Sequence, residues 1–310
     1  MDLNLKNIDK ELFEYIPSDN KDLNTVVRPS ETYWQDAWRR LKENKVATFS
    51  LFALILLILI SIIGPYLSKF DYRTNDINSL NLSPNSEHWF GTDELGRDLY
   101  VRVLYGMRIS LSVGIVSALI NFVIGVIYGG ISGYYGGNID NIMMRFVDVL
   151  YSVPTVLYVI LLMVVLGEAS LSNIFIALGI SYWVGMARIV RGQVLALKQQ
   201  EFVLAARALG AKNFRIILRH LIPNSMGPII VTLMMSIPSA IFTEAFLSFI
   251  GLGVSAPMAS LGVLCNDAIT TYRTYPYQLF FPSLAICIIM LAFNLFGDGL
   301  RDALDPKMRK

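Results

Sequence analysis

Charge is scarce in this sequence. Only 16% of its 310 residues are Asp, Glu, Lys or Arg, and 54% are hydrophobic. A soluble domain carries charge on about a quarter of its residues. The composition therefore indicates an integral membrane protein, and the small net charge of +2 gives no reason to expect nucleic acid as a partner.

Cysteine and histidine are almost absent. The two cysteines, Cys265 and Cys287, are predicted to lie one outside and one within a hydrophobic span, and they suggest no disulfide framework. The two histidines, His88 and His220, fall on opposite predicted sides of the membrane, which argues against a shared metal site. We expect no bound metal.

Several functional motifs are missing. The chain has no Gly-x-x-x-x-Gly-Lys-Ser/Thr loop, so any ATP chemistry that drives it must belong to another subunit. It also lacks a Ser/His/Asp or His-Glu-x-x-His arrangement, so we expect neither an enzyme nor a cofactor in this chain. Residues 1–30 have no apolar run behind a basic start, which argues against a cleaved signal peptide.

Six hydrophobic runs are long enough to cross a bilayer. They predict an all-α integral membrane fold with spans at 46–67, 109–134, 146–166, 171–189, 226–250 and 279–299. Segment 1–45 should contain an interfacial helix, 68–108 an external segment, 109–300 a five-helix core, and 301–310 a tail. Prolines at 154, 238 and 282 lie in or beside spans, where a missing amide donor can kink a helix.

Basic residues set the predicted orientation. They are concentrated in the N-terminal segment, between spans four and five, and at the C-terminus, whereas those of segment 68–108 are diluted by acids. The chain is therefore predicted to be a multi-pass protein of the cell membrane with both termini in the cytoplasm. Residues 201–223 would then face the cytoplasm.

The polar stretch 201–223 has its own helical pattern. Apolar residues recur at one-face spacing before and after Gly210, which predicts two short amphipathic helices joined at that glycine. Glu201 begins the first helix at its positive dipole end, and Pro223 is expected to stop the second. A plain connecting hairpin is the alternative to a docking element for another protein.

This stretch resembles the "EAA" loop of ABC-importer permease subunits. The family's Ala, Ala, Gly and Pro places are occupied by Ala205, Ala206, Gly210 and Pro223. The pattern departs at Leu204, where the family has Glu, and at His220 and Ile222. The resemblance assigns coupling to an ATPase to Glu201, Ala205, Ala206, Arg207, Gly210 and Pro223.

Other motifs extend the resemblance. The segment GTDELGRDL (91–99) has the acids of a cation loop, but its spacing fits no calcium loop and Arg97 would oppose a cation. It instead resembles the oligopeptide/dipeptide/nickel branch of ABC permeases, in particular the C-type subunit. Further similar segments lie at 132–154, 190–211, 246–254 and 292–306. Leu261 stands where that branch commonly has Trp.

The resemblance implies a type I ABC importer permease fold with cytoplasmic coupling helices, and import of oligopeptides or dipeptides. It also implies a second homologous permease, two cytosolic subunits that bind ATP and Mg, an extracytoplasmic peptide-binding protein, and membrane lipid around the spans. Nickel or another small ligand is the alternative cargo. A secondary transporter is a further alternative, although we find no internal repeat.

Four polar residues fall within spans, where they are costly: Asn121, Asp148, Glu244 and Asn294. They either line a water-filled translocation path or tie helices together. The sequence does not decide between these roles.

The orientation is testable with topology reporters. A reporter fused within 81–87 should read external, and one fused near 198–200 should read cytoplasmic, because of the asymmetry of basic residues. External accessibility of 201–223 would contradict the coupling role.

Overall fold

A computed structural model of the protein describes residues 32–167 and 170–305. Twelve α-helices are found in these ranges: α1 (Tyr33–Glu43), α2 (Lys45–Leu67), α3 (Leu99–Tyr135), α4 (Gly137–Ser152), α5 (Thr155–Leu166), α6 (Leu171–Leu197), α7 (Glu201–Ala208), α8 (Asn213–Ile216), α9 (Ile222–Asn224), α10 (Met226–Leu247), α11 (Leu261–Asp267) and α12 (Tyr277–Leu304). Two π-helical turns, Ile217–Leu221 and Ser248–Leu252, follow α8 and α10. Predictions for 1–31 and 306–310 lie outside the described residues.

Five of these helices are long and apolar enough to cross a membrane: α2, α3, α6, α10 with its π-turn, and α12. The predicted third span, 146–166, is not one helix. Its residues are divided between α4 and α5, which meet at 92° and make a sixth crossing only if the bent pair is one span. Pro154 explains the break, since it lacks an amide donor and favours an extended Val153 (φ −88°, ψ 130°).

Several helices extend beyond their apolar runs. α3 begins at Leu99, ten residues before the predicted span at 109, so the helix extends into segment 68–108. The Asp98 side chain caps α3 by accepting a hydrogen bond from Val101 N at 2.9 Å. Arg102 is buried near the start of α3. Its positive charge is paired with the carboxylate of Asp93, which offsets the cost of burying it. Hydropathy marks the lipid-facing part of a helix, not its end.

Close backbone contact joins α3 to α6. At Gly125 a side chain would meet Met186, with Cβ atoms 2.5 Å apart, and at Gly129 it would collide with the backbone oxygen of Ala187. Gly133 approaches α6 in the same way one turn later, against Val194. Gly125 and Gly129 form a small-xxx-small pair, a spacing that permits close helix packing in lipid.

The helices alternate between two ends of the bundle. The hydroxyl of Tyr33 on α1 donates a hydrogen bond to the carbonyl of Leu304 on α12, 2.9 Å away. The start of α2, the end of α12 and residues 201–223 therefore lie at the same end of the bundle. We call it the 201–223 end. Residues 68–98 and α11 lie at the other, the 68–98 end. At α1, Trp34 and Trp38 are both exposed.

The glycine contact makes a matched test possible. Gly129→Ala should destabilise the chain by about 1–3 kcal/mol, because the methyl group would force α3 away from α6. Gly192→Ala on the facing helix meets no atom within 4 Å and should be nearly neutral. The measurement is thermal stability of the detergent-solubilised protein; equal stability of the two variants would contradict this packing account.

Candidate docking element and groove

The first half of the 201–223 element is α7. Glu201 lies in its first turn and Arg207 in its last, which suits the helix dipole. Val203 is the one fully buried side chain of α7, while Phe202 on the neighbouring position is exposed. Of the residues predicted to couple, Glu201, Ala205, Arg207, Gly210 and Pro223 are exposed, and Ala206 is half-buried.

Gly210 ends this helix as predicted. Its φ is +80°, a region that side-chain-bearing residues enter at a cost. Gly210 N donates to Arg207 O and Ala211 N donates to Ala206 O, both at 3.0 Å, which is the bonding pattern of a Schellman C-cap. A Cβ atom at Gly210 would meet no atom within 4 Å, so a substitution would strain the backbone without crowding this chain.

The second half of the element differs from the prediction. The spacing after Gly210 predicts one apolar face formed by Phe214, Ile217, Leu218 and Leu221. The structure divides it, since Phe214 and Leu218 are exposed whereas Ile217 and Leu221 are buried. The π-turn after α8 changes which residues share a face. Pro223 does not stop the helix either, because it lies in the first turn of α9, where its missing amide is tolerated.

The buried side of the element packs against the helix bundle. Val203, Ile216 and Leu221 share an apolar core with Val190 and Val194 of α6. The Tyr134 hydroxyl at the end of α3 donates a hydrogen bond to Asn213 at 2.8 Å. These contacts attach the element directly to α3 and α6.

Its outer surface combines apolar and basic groups. The exposed apolar side chains are Phe202, Leu204, Leu209, Phe214 and Leu218. Exposed basic side chains on the same element are Arg207, Lys212, Arg215 and Arg219. Leu209 is 88% exposed and Phe214 is 72% exposed, the highest values among these five side chains.

An ion pair secures the bend between α3 and α4. Arg191 of α6 makes two hydrogen bonds of 2.5 Å to the buried carboxylate of Asp140, and Ser132 donates to the same group. Sequence reasoning missed this pair and counted Arg191 only as a cytoplasmic charge. The acid three residues after Gly137 was the available signal.

A groove of about 740 Å³ lies between α6 and α10. Asn121 of α3 lines it, so one of the four predicted path residues reaches a cavity. Polar lining groups also come from Tyr182, Arg188, Thr232, Ser236 and Ser239. The run of hydroxyls on α10 was not singled out from the sequence, although its i, i+4, i+7 spacing is visible there.

The other three predicted path residues lie elsewhere. Glu244 is fully buried and accepts hydrogen bonds from Ser110 (2.8 Å) and Ser248 (2.7 Å), so it ties α10 to α3. Asp148 is exposed and pairs with Arg188 at 2.7 Å. Asn294 is exposed on α12 and does not line the groove. The structure does not bring the four together.

Two family profiles match this chain. A family profile described as the inner membrane component of binding-protein-dependent transport systems matches residues 122–310. The chain belongs to this family. A second profile, the N-terminal transmembrane domain of oligopeptide transport permease C, matches residues 32–84. The resemblance to C-type permeases is therefore confirmed.

Similar full-length proteins support the same family. The dipeptide transport system permease protein DppC of Bacillus subtilis is 55% identical over 292 residues, covering 94% of this permease and 91% of the relative. The oligopeptide transport system permease protein OppC of the same organism is 50% identical over 306 residues, covering 99% and 100%. OppC of Escherichia coli K12 is 46% identical, covering 89% and 92%.

A solved structure supports the fold. The inward-facing MetNI methionine ABC transporter contains a chain that aligns with a TM-score of 0.55 and 19% identity. The alignment covers 67% of this permease and 98% of that chain. At this identity the likeness shows the permease fold alone.

Proposed function

We propose that this permease is one of two transmembrane subunits of an ATP-driven importer that carries oligopeptides or dipeptides into the cell. The observation that carries the proposal is the exposed apolar and basic surface of 201–223, which is rigidly attached to the bundle. Peptide cargo is supported by the names of its relatives, DppC and OppC. Nickel or another small ligand is the alternative cargo.

The proposal includes an orientation and a set of partners. The 201–223 end, with α1 and the end of α12, faces the cytoplasm, and the 68–98 end receives peptide from an extracytoplasmic binding protein. Two cytosolic subunits bind ATP and Mg, and each docks on a coupling element of one permease. A second, homologous permease completes the membrane part. ATP is hydrolysed by the cytosolic subunits, so the chain itself is not an enzyme.

Transport then depends on transmitted motion. When the ATPases close around ATP, they move the 201–223 elements of the two permeases relative to each other. Because Val203 and Leu221 are buried in the α6 core, that motion repositions α3, α6 and α10 around the groove. Alternating access is a shift of population between two such arrangements.

Gly210 gives a test of coupling. Gly210→Val should place a β-branched side chain at φ +80°, at a cost of about 1–2 kcal/mol, and should misalign α7 and α8 on the docking surface. We expect normal membrane insertion, a sharp fall in peptide uptake, and weak ATPase association or hydrolysis without transport. The measurements are uptake and ATPase co-purification, normalised to inserted protein.

The matched control is Gly167→Val. Gly167 also has a positive φ, +84°, and free space around it, but it lies at the 68–98 end. The same backbone strain should leave coupling intact there. Full uptake by Gly210→Val would show that this glycine is not the coupling hinge.

The cargo and energy source need a direct assay. In cells lacking the chain, uptake of labelled di-, tri- and longer peptides should be lost and should return with the chain, its partner permease and active ATPases. ATPase subunits unable to hydrolyse ATP should abolish it. Restored nickel uptake without peptide uptake would favour the alternative cargo, and uptake that survives inactive ATPases would favour a secondary transporter.

A further inference from the structure

The apolar face of α1 is wider than its contact with the bundle. Ala37 and Leu41 are buried, and Leu41 lies in an apolar cluster with residues of α2 and α12. Trp34 and Trp38, one turn apart on the same helix, extend the apolar face, and each is 50% exposed. The bundle therefore covers one half of this face and leaves two large aromatic side chains half-exposed.

The turn between α1 and α2 fixes where these rings lie. Asn44 caps the start of α2 by accepting a hydrogen bond from Ala47 N at 3.1 Å. The Thr48 hydroxyl donates to the carbonyl of Leu41, near the end of α1, at 3.1 Å. α2 is long and apolar enough to cross a membrane, and Phe49 on its second turn is exposed. The rings of α1 therefore lie next to the point where α2 enters the hydrocarbon.

Tryptophan is the side chain that suits this depth. Its indole ring is apolar, while its ring N–H can reach a polar partner, so it favours the boundary between headgroups and acyl chains. A helix with such rings on one side and charges on the other lies in the plane of that boundary. The uncovered half of the apolar face of α1 therefore continues the lipid-facing surface of α2.

Two lysines add positive charge beside the rings. Both acids of α1, Asp36 and Glu43, pair with arginines of the same helix at 2.7–3.4 Å. Lys42 and Lys45 are exposed, and neither has a carboxylate partner within 32–167 and 170–305. The ammonium of Lys42 lies 5.2 Å from the ring centroid of Trp38, so charge and aromatic surface occur together.

This combination selects one class of lipid. A phospholipid presents acyl chains next to a phosphate, which matches aromatic rings next to ammonium groups. A zwitterionic headgroup brings its own positive charge and offsets its phosphate, whereas an anionic headgroup does not. Lysines near a membrane surface are attracted to anionic lipid.

We propose that α1 is a binding site for anionic phospholipid in the leaflet at the 201–223 end. Trp34 and Trp38 contact the upper part of the acyl chains, and Lys42 and Lys45 bind the headgroup. The inference goes beyond the proposed function and does not depend on the cargo.

The test measures tryptophan quenching in the full chain reconstituted in nanodiscs. In a Trp89→Phe, Trp183→Phe background, Trp34 and Trp38 are the remaining two of the four tryptophans. Phosphatidylglycerol brominated on its acyl chains is compared with phosphatidylcholine brominated in the same way, at equal mole fraction. We expect phosphatidylglycerol to quench more strongly, and the two quenching curves give the ratio of the binding constants.

The lysines are tested by a double variant, Lys42→Gln with Lys45→Gln. It should lower the preference for phosphatidylglycerol roughly fivefold for each lysine removed. The matched control is Lys69→Gln with Arg73→Gln, which removes the same charge from exposed side chains at the 68–98 end and should leave the preference unchanged.

A second measurement needs no tryptophan substitution. Native mass spectrometry counts the phosphatidylglycerol and phosphatidylcholine molecules that the chain retains after purification from a mixture of the two. The wild-type chain should retain more phosphatidylglycerol than the Lys42→Gln, Lys45→Gln variant does.

Three results would overturn the inference. Equal quenching by the two lipids would show that α1 lies at the bilayer surface without selecting negative charge. An absence of quenching by either lipid would show that protein, not lipid, covers Trp34 and Trp38. An equal loss of preference in the lysine variant and in its control would show that overall charge, not α1, attracts the lipid.

Discussion

Lipid tails are as apolar as the helices they surround, so this bundle depends on how closely its helix backbones approach. The contact between α3 and α6 meets that requirement, because Gly125, Gly129 and Gly133 leave room for the backbone and side chains of the facing helix. The other features follow from it. α6 leads directly into the 201–223 element, and α3 supplies both Tyr134 beneath that element and Asn121 in the groove.

The 201–223 element is packed into the bundle on its inner side and exposed on its outer side. Its inner side chains, Val203, Ile216 and Leu221, are fully buried in the α6 core. Its outer side chains, Leu209 and Phe214 above all, remain exposed. A loosely attached hairpin would absorb a push from outside by bending. A segment packed into the core would instead move together with α6, which it contacts.

Polar groups within the bundle fall into two kinds. Glu244 is deeply buried but accepts hydrogen bonds from two serines, so it joins helices and needs no ligand. Asp140 and Arg191 satisfy each other in the same way at the bend after α3. Asn121 lines the groove, and its buried oxygen has no hydrogen-bond partner among the described residues. Burial of a polar group therefore does not by itself mark a ligand site, because Glu244 and Asp140 are satisfied within the chain.

The sequence by itself determined the class, the order of the spanning helices and the conformation of Gly210. Apolar runs of membrane length have few alternatives in lipid, and a helix end that needs positive φ selects glycine for a local reason. These features depend on neighbours in the chain, so pattern and spacing are enough to predict them.

Tertiary structure decided the rest. The π-turn at Ile217–Leu221 is not visible in the sequence periodicity. The first turns of α3 contain Arg102, whose charge is paired with Asp93. Glu244 joins helices because Ser110 and Ser248 approach its carboxylate. A residue's role at a buried position depends on partners distant in sequence, and only the packed helices bring those partners together.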